Sequence, residues 1–279
     1  MYGFTGILGK IILLNPVPLV WYRMLIAVVS LGIILPFLKR SLKLNSLREF
    51  LLLGFVGIVV ALHWVSFYMA IDLSTASLGI LCLSTTTIHV AWLEPLITGR
   101  KFSLLELGLG LIVIYGIYFV SADFNPQDYE ALAYGLFSAL MAALFSVLNG
   151  KIAQTMAPSK ITFYEMLVGV LFLTILLIAQ GEMTPELFDI SMEDFLWLLF
   201  LGLLCTSFAF LVNVELLKRL GAFTVSLSIN MEPVYTIVLA IILLGENKIV
   251  GTQFYIGASI IVAVVLANPV LKRIFRKSA

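Results

Sequence analysis

The sequence predicts an all-α integral membrane protein with ten transmembrane helices arranged as two inverted five-helix repeats. Three observations carry this. The 279 residues are 61% hydrophobic and 12% charged, at a mean hydropathy of +1.10, whereas a soluble domain is about 45–50% apolar and about 25% charged. The apolar residues fall into runs separated by short polar connections, and the second half repeats short motifs of the first at a nearly fixed offset.

The first five runs are Met1–Leu14, Val17–Leu38, Leu47–Ile71, Ala76–Ile97 and Leu104–Ser121. The second five are Ala131–Ile152, Ile161–Ala179, Phe195–Leu217, Ala222–Leu244 and Gly251–Ala267. Most have the roughly 17–25 residues that a helix needs to cross the hydrocarbon core. Turn formers lie between them, as in Asn15-Pro16-Val17-Pro18, Asp123-Phe124-Asn125-Pro126 and Ala157-Pro158-Ser159. The first run is short: the residues before Lys10 make roughly 14 Å of helix, about half a bilayer core. A missing upstream start is the expected reason, and with no basic n-region or cleavage site Met1–Leu14 does not read as a signal peptide. The expected division is a first repeat over 1–121, a second over 131–270 and a basic tail over 271–279. Cys82 and Cys205 both lie inside apolar runs and read as small buried hydrophobes rather than a redox pair.

Loop charges alternate. Lys39, Arg40, Lys43, Arg48, Arg100, Lys101, Lys151, Lys160, Lys218, Arg219, Lys272, Arg273, Arg276 and Lys277 fall in one set of loops and the tail, which is 14 of the 17 basic residues. The other set is rich in Asp and Glu. The positive-inside rule then puts both termini in the cytoplasm of a multi-pass cell-membrane protein.

Two halves overlay. Gly9-Lys10 matches Gly150-Lys151, and Pro16 to Tyr22 matches Pro158 to Tyr164. Thr75-Ala76 matches Gly221-Ala222, and Gly99-Arg100-Lys101 matches Gly245-Glu246-Asn247, both at an offset of 146. An odd number of spans per half makes the halves oppositely oriented, a design common in secondary transporters. In this register Thr86-Thr87 faces Glu232-Pro233, so Glu94-Pro95 is not the partner of Glu232-Pro233. Glu94, near the end of its span, reads as half of a helix-end ion pair with Arg100.

Glu232 is the costly residue. A carboxylate near the middle of a membrane helix costs roughly 2.5–3.5 kcal/mol on insertion scales, and Pro233 beside it removes a backbone donor and favours a kink. Counting about 1.5 Å per residue from the span ends puts His63, Thr85–Thr87, Thr206-Ser207 and Glu232 near the midplane. Helical spacing puts Ser228, Glu232 and Tyr235 on one face, and Thr85, His89 and Trp92 on another. His63, Trp64, Tyr68, Thr85, Thr86, His89, Trp92, Ser207, Ser228, Glu232 and Tyr235 are therefore the candidate ligand contacts. Pro95 and Pro233 are candidate hinges, and Lys10 and Arg23 are expected as charges at the outer mouth. Asn149 and Asn213 are expected toward the inner mouth. Each has a structural alternative: His63 as a helix-to-helix hydrogen bond, the threonines as backbone caps, the aromatics as packing. Gly6, Gly9, Gly54, Gly57, Gly108 and Gly110 are expected to permit close helix approach.

The chain resembles the drug/metabolite transporter superfamily, in particular the ten-helix permeases with two EamA domains. The resemblance rests on Gly3–Lys10, Trp21-Tyr22-Arg23, Phe67-Tyr68-Met69-Ala70, Ser74-Thr75-Ala76-Ser77, Glu232-Pro233 and Leu243-Leu244-Gly245-Glu246. Thr86-Thr87 departs from the family where many relatives have Pro, and His63-Trp64 is not general. The resemblance implies export or exchange of a small metabolite, often an amino acid, by alternating access around a central cavity. The expected partners are that small-molecule substrate and the lipid bilayer, with no nucleic acid, no cofactor and no metal, and a monomeric state. A membrane-embedded enzyme would need clustered ligands or paired acids, and a channel a ring of like charges; neither pattern is present in the sequence.

Overall fold

A computed structural model describes residues 3–121, 125–229, 232–248 and 251–277. Among the described residues the regular structure is entirely helical. In order it comprises α1 (Gly3–Ile11), α2 (Pro16–Phe37), α3 (Leu47–Leu73), α4 (Ala76–Ser84), α5 (Thr86–Thr98), α6 (Leu104–Val120), α7 (Pro126–Ile152) and α8 (Pro158–Gln180). It continues with α9 (Met192–Gly202), α10 (Ala209–Ile229), α11 (Glu232–Leu239) and α12 (Thr252–Lys277). Six stretches are long and apolar enough to cross a membrane, among them Ala76–Thr98 and Met192–Leu220, and three shorter apolar helices accompany them.

Local chemistry sets the ends. Proline, which needs no hydrogen bond for its missing N–H, opens α2, α7 and α8. Ser46, Thr75 and Ser191 cap α3, α4 and α9 by accepting from Glu49, Leu78 and Asp194 backbone N–H groups. Gly99 (φ 78°) and Gly245 (φ 67°) end their helices in the left-handed conformation that glycine adopts without a Cβ penalty. These two are the residues matched at an offset of 146.

Two expectations are corrected. The run Ala76–Ile97 is not one helix: it breaks at Thr85, whose hydroxyl and N–H both turn back to the Cys82 carbonyl. A hydroxyl bonding its own backbone competes with the helical ladder, and here it wins. The turn expected at Lys218-Arg219 is also not there, because α10 runs through these residues and Gly221 to Ile229. No proline interrupts that stretch, and one interior glycine costs a helix only about 1 kcal/mol.

The helices pair in a regular pattern. α2 lies against α8 and α9, α3 against α7 and α8, α4 against α7 and α11, α5 against α7, α1 against α11, and α6 against α12. Glycines set the closest approaches. Gly57 of α3 faces the backbone of Glu165 on α8, and Gly116 of α6 faces that of Gly257 on α12. The main core gathers α1, α2, α3, α8 and α9 around residues such as Met24, Val56 and Leu198, while Leu109, Val113 and Ile261 centre a second core between α6 and α12. The outer surface is apolar: Leu13, Phe37, Leu104, Leu111 and Ile175 are all more than two-thirds exposed. Apolar patches on this scale mark a surface meant for lipid, and the chain is a multi-pass membrane protein.

Candidate functional site

The centre of the polar structure is Arg23, and it is buried. Its side chain is 2% exposed, eight residues into α2, enclosed by α3 and the segment joining α9 to α10. That segment, Leu203–Phe208, is a π-helix. The Thr206 and Ser207 hydroxyls donate to the carbonyls of Leu201 and Gly202, five residues back. The widened turn leaves both oxygens facing α2. Thr206 Oγ1 accepts from Arg23 Nε at 2.7 Å, and Ser207 Oγ pairs with Ser30 Oγ at 2.7 Å. Such bulges often occur at functional positions.

The guanidinium completes its shell with neutral groups. Nη1 donates to Tyr68 Oη at 3.3 Å and Nη2 to the Cys205 carbonyl at 3.4 Å. Its Cζ lies 3.8 Å from the Trp64 ring centroid, a cation–π contact worth about 2 kcal/mol where water is excluded. Arg23, which the sequence marks as a charge at the outer mouth, is buried instead, because its partners come from residues that the sequence does not show to be adjacent. Three of five N–H donors are used, all on uncharged oxygens. Glu232, partly buried at the start of α11, is near enough to interact electrostatically with Arg23. Among the described residues no ion pair joins them.

Trp64 and Tyr68 thus form one wall. Trp64 packs edge-on against Phe210, and Tyr68 lies beside Phe67. A Cβ at Gly9 would stand 2.6 Å from the Tyr68 ring, so glycine there lets α1 close over it.

The other expected residues divide. His63 is buried with Nδ1 against Ser138 Oγ at 2.9 Å, while that hydroxyl also donates to the His63 carbonyl. This ties α3 to α7. Thr85 serves the helix break, Thr86 is partly buried, and His89 and Trp92 meet edge to face at 6.3 Å, with His89 Nδ1 buried and unbonded. Ser207 lies one residue from the Arg23 contact. Tyr235 is 60% exposed, while the side chains of Ser228 and Pro233 lie outside the described residues. Pro95 is buried within α5. Glu94 pairs with Arg100 at 2.8 Å on an exposed helix end, an arrangement worth at most about 1 kcal/mol. Lys10 does stand at a helix end, donating to the Asp72 carbonyl at 3.3 Å.

Three polar positions, Ser138, Glu246 and Glu165, were not expected, and Thr206 was expected only by its depth. Thr206 and Ser138 are placed by the π-turn and by the α3–α7 crossing. Glu246 is 2% exposed, and its carboxylate caps α4, accepting from Ala76 N at 2.8 Å and Ser77 N at 3.1 Å. Glu246→Ala is expected to cost about 1–2 kcal/mol through the lost cap, read as a lower thermal midpoint of the purified protein. Glu165, fully buried on α8, accepts from Asn149 Nδ2 of α7 at 3.1 Å. One signal could have found it: extending the match of Pro16–Tyr22 with Pro158–Tyr164 by one residue pairs Arg23 with Glu165.

Known proteins give the geometry a context. The model of the EamA-like transporter family matches residues 1–122 and again 130–268. An uncharacterized transporter of Clostridium kluyveri is 22% identical over 259 residues, spanning 85% of this chain and 81% of that protein. Another, from Archaeoglobus fulgidus, is 26% identical over 239 residues, spanning 84% of this chain and 81% of its own. A solved crystal structure superposes with a TM-score of 0.70 at 14% identity, covering 98% of this chain and 94% of the other, which speaks to fold alone. With the family model matching nearly the whole chain, this membrane protein belongs to the EamA-like transporter family.

Proposed function

We propose that the protein is a secondary transporter that exports a small carboxylate-bearing metabolite, an amino acid or a similar molecule, across the cell membrane. The observation that carries this is Arg23: a buried cation held by neutral oxygens and an indole face, with two N–H donors to spare. A substrate carboxylate is the group such a fork accepts in two parallel bonds. Trp64 and Tyr68 supply apolar walls, and Thr206, Ser207 and Glu232 supply polar groups near it, a mixture suited to a small amphipathic ligand.

Alternating access rests on the two-repeat reading. What supports it is the pairing pattern, in which α2 meets α8, α4 meets α11 and α6 meets α12, each helix with its counterpart five spans on. The left-handed ends at Gly99 and Gly245 and the double match of the family model agree with it. In this reading α4–α5 and α9–α10, interrupted at Thr85 and at the π-turn, flank the site, and Pro95 and Pro233 remain the proposed hinges. The alternation of basic residues along the sequence supports cytoplasmic termini in this reading, although Lys218 and Arg219 lie within α10.

Purified protein in liposomes preloaded with an amino-acid mixture is expected to accumulate labelled amino acids by counterflow. No exchange across a broad panel of amino and organic acids, with the protein shown to be folded, would overturn the reading. Glu232→Gln is expected to change the transport rate while leaving thermal stability intact. An unaltered rate would return Glu232 to a structural role.

A further inference from the structure

Glu165 and Asn149 are both 0% exposed, on facing surfaces of α8 and α7, joined by Asn149 Nδ2 donating to Glu165 Oε2 at 3.1 Å. The second oxygen of each planar group, Glu165 Oε1 and Asn149 Oδ1, is buried with no hydrogen-bond partner. Thr162 Oγ1, one turn earlier on α8, is buried and unbonded as well. Orphaned acceptors of this kind are rare and ask for an occupant.

The occupant follows from the atom types. A carboxylate oxygen and an amide oxygen can only accept. A proton on Oε1 turns it into a donor, and the amide oxygen beside the existing bond is an unused acceptor. One proton thereby serves two orphaned atoms, as an acid–amide pair. A hard metal ion asks for six or more oxygens, and this cluster offers three. Of the ionisable groups on the surrounding elements, five are engaged elsewhere. On α2 Arg23 lies in its own cluster, on α3 His63 is held by Ser138, and on α7 Lys151 turns to the Ile97 carbonyl. On α10 Glu215 and Arg219 pair with each other. On α3, Gly57 faces the Glu165 backbone.

We propose that Glu165 is a proton-binding site of the transporter, its carboxyl O–H shared with Asn149 Oδ1, and that transport is coupled to exchange of this proton. When α7 and α8 part, the acid releases H⁺ to water and is left as a carboxylate; rebinding restores the pair. The repeat gives the site a logic: Arg23 and Glu165 occupy the same position in α2 and α8, 142 residues apart. One half thus carries a fixed cation and the other a switchable acid. The coupling, but not the proton site, rests on the transporter reading above.

Infrared difference spectra of the full chain in liposomes, titrated over roughly pH 5 to 9, test the site without any substrate. A protonated-carboxyl band is expected in the wild type and is expected to be lost in Glu165→Gln, whose amide can still donate to Asn149. A band that survives unchanged in this variant overturns the proposal. Should the variant not fold, Asn149→Leu reads the same site, since removing the acceptor is expected to shift the band; an unmoved band counts against it. Sodium ions added at constant pH are expected to leave the wild-type thermal midpoint unchanged. A sodium-dependent rise that Glu165→Gln abolishes would replace the proton by a metal ion. A confirmed band in a protein that shows no counterflow would refute the transport reading and leave the proton site standing.

Discussion

Arg23→Lys is expected to lower transport by about tenfold to a hundredfold while the protein stays folded. Lysine keeps the charge, so a purely electrostatic role would survive the change. What it loses is the planar fork that reaches Thr206, Tyr68 and the Cys205 carbonyl at once while stacking 3.8 Å from Trp64. A hydrogen bond to a charged group is worth about 1.5–3 kcal/mol, and each 1.4 kcal/mol is a factor of ten. Loss of one well-placed bond to substrate therefore predicts the stated range. Initial counterflow rates, normalised to folded protein, measure it. Wild-type rates in the variant would take Arg23 out of the site, however well it is packed.

Gly57→Ala is expected to destabilise the fold by about 1–3 kcal/mol or more, the usual cost of overpacking. A Cβ there would stand 2.5 Å from the Glu165 carbonyl oxygen and 3.0 Å from its Cα. Both are backbone atoms, so no side chain can rotate away and α3 must separate from α8. Gly54, one turn earlier, is the control: its Cβ would meet only Val168 methyls at 3.6 Å, an ordinary contact. Thermal unfolding in detergent should show a lowered midpoint for Gly57→Ala and an unchanged one for Gly54→Ala. Equal midpoints for both would mean that the α3–α8 approach is looser than described.

The paired glycines show how a pattern narrows a site without settling it. Spacing marks Gly54 and Gly57 alike, because both fall on one helical face; only the neighbour across the interface tells them apart. Thr85 teaches the same lesson. Its depth marks it for ligand contact, and the structure adds that its hydroxyl donates to the Cys82 carbonyl where the helix breaks. His63 follows its structural alternative through Ser138. These outcomes depend on which side chain lies opposite, and that information is spread over residues far apart in the chain.

By itself the sequence determined the membrane class, most helix positions and the family, because hydropathy, proline and glycine act locally and leave their marks residue by residue. It also marked Gly99 and Gly245 as helix ends, since a left-handed helix end favours glycine. Only the tertiary structure decided where the charges stand. Arg23 is buried among neutral oxygens, Glu246 caps α4, and Glu165 is buried beside Asn149. The physical reason is that a buried charge persists only where its partners converge. Convergence of Tyr68 and Thr206 on Arg23, or of Asn149 on Glu165, is set by helix crossings that no single stretch of sequence records.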